Sequence, residues 1–129
     1  MTKTLCLTMI VKNEVNILKK CFDSIVNHLT YWVICDTGST DGTQEFIKNY
    51  FKEKNIPGEL HETLWKNFGH NRTEVFNKAY EAKKKCTHFF VIDADDELIG
   101  NLDDFFDEST DNLSKNIGSY HIKIKLKSI

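Results

Sequence analysis

The strongest constraint on this chain is an alternation between two hydrophobic periods that no single element type accommodates. Residues 4–11, TLCLTMIV, form a nearly continuous apolar run, as expected of a strand covered on both faces. Residues 14–28 follow with Ile17, Leu18, Cys21, Phe22, Ile25 and Val26, leading to Leu29, at the spacing of an amphipathic helix. YWVIC at 31–35 reads as a second strand. Residues 41–54 read as a second helix, with Asp41 and Gln44 spaced as a capping box and Phe46, Ile47, Tyr50 and Phe51 on its inner face. Pro57-Gly58 interrupts the chain before a short strand at 59–63. A third helix spans 69–85 through Val75, Phe76, Ala79 and Tyr80, and a fourth strand spans 88–92. This order predicts an α/β fold, a mainly parallel sheet flanked by helices. YHIKIKLK at 120–127 alternates with period two and predicts one added strand with a wet face.

A chain of 129 residues suits one domain with a sizeable core. Its net charge of -2 lacks the basic excess of nucleic-acid binders. The N-terminal apolar run is too short to span a membrane and has no small-residue cleavage site, so a cytoplasmic protein is expected. Cys6, Cys21, Cys35 and Cys86 lie far apart without a CxxC pair, so they are expected to act as small hydrophobes rather than as disulfides or zinc ligands.

In an open parallel sheet, ligands bind beyond the carboxyl ends of the strands. The polar residues of this chain collect there: Lys12-Asn13-Glu14 after the first strand, DTGSTDGT (36–43) after the second, and Asp93-Ala94-Asp95-Asp96 after the fourth. Three loops from separate strands thus converge on one rim. Backbone N–H groups at the helix start near Asp41 offer an anion site, with a well-capped turn as the plainer reading. Asp93 and Asp95, at i and i+2, share one side of an extended backbone, and their oxygens suit Mg²⁺ or Mn²⁺. An EF-hand reading fails because Leu98 stands where glycine is needed. Arg72, the only arginine, suits a phosphate or carboxylate. Trp65 is expected in the core, with a lid over a ligand as the other reading. A phospho-acceptor receiver domain would place its acidic pair after the first strand, where Lys12-Asn13-Glu14 stands.

LTMIVKNE, VICDTGSTDGT, NFGHNRTEVFNKA and FFVIDADDEL, taken in order over residues 5–98, resemble the N-terminal nucleotide-binding half of family 2 glycosyltransferases. The resemblance implies a GT-A, Rossmann-like fold and metal-dependent binding of a UDP-sugar for transfer to an acceptor hydroxyl. It implies that the Val11 backbone, Glu14 and Asp36 contact uracil or ribose, and that Arg72 reaches the uracil or the diphosphate. Asp93 would lie near ribose and metal, with Ala94 between the two acids on the substrate side. Asp95 would bind Mn²⁺ or Mg²⁺ bridging the diphosphate. The family's general base comes well downstream of the DxD strand, and no residue of this chain matches it. Residues 1–129 are therefore expected to form a single donor-binding domain, truncated or one module of a longer enzyme, inactive alone or slowly hydrolysing donor. The alternative is a non-catalytic nucleotide-sugar-binding module. The sugar, the acceptor (glycan, protein or lipid) and the oligomeric state are not specified by these motifs.

Overall fold

The computed structural model describes residues 4–82 and 86–98, together with the backbone of 125–128. Its elements are β1 (Leu5–Val11), α1 (Leu18–Ile25), β2 (Leu29–Asp36), α2 (Thr43–Glu53), β3 (Gly58–Glu62), α3 (Phe68–Glu81), β4 (His88–Val91) and β5 (Lys125–Ser128). The sheet order is β3-β2-β1-β4-β5. The first four strands are parallel and β5 adds antiparallel to β4, with His88 opposite Ser128. The expected mainly parallel sheet between helices is what forms.

Alternation along the strands divides the core into two layers. Leu5, Leu7, Met9 and Val11 of β1 face Leu18, Phe22 and Ile25 of α1 and Ile47, Tyr50 and Phe51 of α2. Cys6 of β1, with Tyr31, Val33 and Cys35 of β2, faces Val75 and Ala79 of α3. The first two crossovers thus lie on one face of the sheet and the third on the other. The chain reverses its winding beside β1, which makes that strand's carboxyl end the switch point. All four cysteines are buried and free, as small hydrophobes would be.

Several local expectations are corrected. The first helix is shorter than residues 14–28, because Ile17 and Leu18 N–H groups both turn back to the Glu14 carbonyl before the helix starts. Asn13, just before them, has a positive φ of 52°. A 3₁₀ turn over Val26–His28 then leads into β2. Ile17 stays 39% exposed for the same reason. The capping box does not form: Gly42, at φ 93°, is the N-cap of α2, and Gln44 bonds Glu62 instead. On α3, Tyr80 is exposed and Asn71 is fully buried, so an amide takes an inner position that periodicity gives to apolar residues. Residues 83–85 of the expected third helix, the acidic segment 101–116 and residues 120–124 of the expected last strand lie outside the described residues.

Candidate functional site

The loops after β1 and β2 are stitched together by their short polar side chains. Asn13 N–H donates to Ser39 Oγ at 2.8 Å, and Asn13 Oδ1 accepts from Thr40 N–H at 2.8 Å. Glu14 N–H donates to Thr43 Oγ1 at 2.9 Å, and the Thr43 hydroxyl donates in turn to Asp41. Thr37 N–H and hydroxyl both reach the Val11 carbonyl. The expected anion site at this helix start is not what these groups build. The N–H groups of Gly38 and Ser39 go to Asp36 Oδ1, that of Thr40 goes to Asn13, and that of Thr43 goes to Asp41 Oδ1. These four N–H groups, engaged by carboxylates and an amide, have no bond left for a phosphate, and Asp41 supplies the negative charge that the helix dipole favours. The capped-turn reading is the one realised.

Asp36 is 1% exposed at the end of β2. Burial pushes its carboxyl up, but hydrogen bonds from Ser39 and Gly38 outweigh that and hold its pKa below the ordinary value. Its second oxygen, Oδ2, is buried with no hydrogen-bond partner among the described residues.

Past β4 the chain turns rather than running on extended: Asp96 N–H bonds the Asp93 carbonyl at 3.0 Å. The expectation that Asp93 and Asp95 share one side of an extended strand is therefore replaced by a turn, which also recruits Asp96. Oxygens of Asp93, Asp95 and Asp96 lie within 4.8 Å of one another. Buried neighbours hold this turn, with Ile92, Ala94 and Leu98 all in the core. Leu98 N–H donates to Ser24 Oγ on α1 at 3.0 Å, and the Cys21 thiol reaches the Asp93 carbonyl. Burial, followed by the charges of Asp96 and Asp95, pushes that thiol up to about 12. Glu14 is also shifted up, first by partial burial and then by Asp95, Asp41 and Asp93. The corner of the sheet is thus rich in negative charge. An all-oxygen set of three clustered carboxylates, two of them exposed, fits a hard divalent cation such as Mg²⁺ or Mn²⁺.

A cavity of about 310 Å³ opens beside this turn. Its inner wall is Thr8 and Ile10 of β1, Val75 and Phe76 of α3, and Val91 of β4. Its mouth carries Val11, Lys12, Glu14, Thr37, Arg72 and Asp93. Of the residues singled out in the sequence, Val11, Glu14, Arg72 and Asp93 meet here. Asp95 stands outside the lining, in the carboxylate cluster. Asp36 is folded into its own loop, and the Ala94 side chain points into the core at 5% exposure, leaving only its backbone toward the site. Trp65, expected in the core, is instead 45% exposed and lines the cavity with Phe68, which is 70% exposed. Asp96 and Phe68 lie inside the quoted motifs, but neither is given a role of its own by the sequence.

This arrangement, four parallel strands with a polar rim at the switch point and an acidic turn after the fourth, is matched by the family model for glycosyl transferase family 2 over residues 6–102. The chain belongs to that family. The match runs from β1 past the acidic turn, so it takes in every residue of the rim. The fold is accordingly of the GT-A type, and the function is of the glycosyltransferase kind. No curated protein matches the chain significantly. Among the described residues, no helix is long and apolar enough to cross a membrane.

Proposed function

We propose that the rim binds a UDP-sugar together with Mg²⁺ or Mn²⁺, as the donor half of a glycosyl transfer to an acceptor hydroxyl. The observation that carries this reading is one cavity mouth on which Glu14, Arg72 and Asp93 come from three separate elements, beside three clustered carboxylates. Asp93, Asp95 and Asp96 would hold the cation. When bound, such a cation neutralises the charge that develops on a departing diphosphate. Arg72, without an ion-pair partner among the described residues, is free to give bidentate hydrogen bonds to phosphate oxygens. Lys12 adds a second positive charge at the mouth. The Glu14 carboxylate would serve a ribose or base edge as acceptor, with the Val11 backbone beside it in the lining.

Calorimetry of UDP in the presence of Mn²⁺ tests the reading. Saturable binding is expected, weakened at least several-fold by Asp95→Asn and made insensitive to chelator in that variant. Equal binding by parent and Asp95→Asn, unchanged by EDTA, would exclude the metal role. An absence of heat with every UDP species would exclude the donor.

A further inference from the structure

Two large aromatic side chains stand at the cavity mouth instead of in a core. The Trp65 and Phe68 rings meet edge to face, with centroids 5.0 Å apart and planes at 89°. A tryptophan buries a large apolar area when it is allowed to, so one left 45% exposed beside a cavity calls for a reason. Loose backbone is not that reason. Asn71 is fully buried, and its amide closes three bonds onto the loop that carries Trp65. Asn71 Oδ1 accepts from the N–H groups of Lys66 at 2.9 Å and Asn67 at 3.2 Å, while Nδ2 donates to the Leu64 carbonyl at 2.9 Å. Upstream, Thr63 N–H donates to the Asp36 carbonyl at 2.8 Å, tying the same loop to the end of β2. Downstream, Asn67 caps α3 by accepting from His70 N–H. The loop is held on both sides of Trp65, and what it holds in place is an exposed indole at the mouth of the cavity.

The same cavity is lined by the β1 carboxyl end and Glu14, with Arg72 one helical turn beyond Phe68. A cavity lined by exposed aromatic rings, apolar side chains and a few polar groups suits a flat heteroaromatic ring better than it suits a sugar or a bare diphosphate. We infer that Trp65 is the stacking wall for the nucleobase, so that base affinity in this chain comes from an aromatic face as well as from hydrogen bonds. This rests on the nucleotide-sugar reading above and adds to it the residue that grips the base.

The tryptophans make the inference measurable. There are two. Trp32 is 6% exposed, stacks on Phe51 and gives its Nε1–H to the Ile56 carbonyl, in the layer of the core remote from the cavity. Indole fluorescence that responds to ligand therefore reports Trp65. UDP with Mn²⁺ should quench the parent's fluorescence. Trp65→Leu should abolish the quench and weaken UDP, measured by calorimetry, by about ten-fold or more. Trp65→Phe should recover most of the affinity, since it restores an aromatic face but not the indole signal. Both variants alter an exposed side chain and should unfold at the parent's temperature. Parent-like UDP affinity in Trp65→Leu would overturn the inference while leaving the donor reading standing. So would an equal loss in Trp65→Phe and Trp65→Leu, because a loss that an aromatic ring does not repair is not stacking. A folded parent that binds no UDP at all would remove both.

Discussion

At the scale of single residues, the site is built by side chains whose polar atoms face inward to the loops themselves. Thr43 is the clearest case: fully buried, it accepts from Glu14 N–H and donates to Asp41. Thr43→Val keeps the shape and leaves Glu14 N–H without its acceptor, while Asp41 keeps the Thr43 backbone N–H; the loss should destabilise the chain by about 1 kcal/mol. It should also weaken UDP, because Glu14 loses the bond that fixes its backbone; chemical denaturation and calorimetry on the same variant read the two effects. Asp36 gives a pH signature. Its folded pKa lies below the ordinary 3.8, so its charge stabilises the fold above that value, and the contribution is lost as pH falls through the lowered folded value. Asn at this position keeps an acceptor for Gly38 and Ser39 N–H but does not titrate. Denaturation curves of the parent should therefore fall toward those of Asp36→Asn as the pH drops below about 4. A gap between the two that stays constant down to acid pH would contradict the assignment.

At the scale of elements, β3 owes its place to a missing side chain. Gly58 lies opposite Trp32 in the parallel pairing, and a Cβ there would sit 2.1 Å from the indole ring. The ring cannot yield: it is stacked on Phe51 and tied to the Ile56 carbonyl. Gly58→Ala should cost about 1–3 kcal/mol through overpacking, seen as a fall in melting temperature. Because β3 leads into the Trp65 loop, the same change should reach the site through the backbone. Gly42 needs its glycine for a different reason, a φ of 93° with open space around it, so alanine there is strained without a clash. The acidic turn shows a third device. Buried Ala94 and Leu98 fix a backbone from which Asp93 and Asp95 project into solvent, so repulsion among the carboxylates is borne by packing on α1.

At the scale of the whole molecule, the ligand should behave as part of the fold. The proposed site joins β1, β2, α3 and the turn after β4, so a ligand bound there links both core layers and opposes their separation. Saturating UDP with Mn²⁺ should raise stability by about 2.7 kcal/mol at a hundred times the dissociation constant. Each component alone should raise it much less, since three carboxylates repel a diphosphate and a diphosphate relieves the charge of the metal. A thermal-shift matrix of UDP against Mn²⁺ reads this directly; shifts that merely add would indicate two unconnected sites.

The alternation of apolar runs with helical spacing was enough to give the element order and the parallel sheet, because period two and period 3.6 bury different faces and exclude one another. It was also enough to collect the loops of Glu14, Asp36 and Asp93 on one rim, since parallel strands must present their carboxyl ends together, although Asp36 then folds into its own loop. Other outcomes turned on polar contacts that periodicity does not read. Asn71 is inward because three backbone groups of a preceding loop need its amide, and Trp65 is outward because that loop is held away from the core. The loop before α2 takes its shape from residues 26 to 29 positions away, on the β1 loop, whose N–H groups donate to its Ser39, Asp41 and Thr43 side chains. Asp96 joins the acidic cluster because the chain turns after Ile92 to bury Ala94 and Leu98. Periodicity states which side chains leave water; which polar group meets which is decided when distant segments are brought together, and there the tertiary structure had the last word.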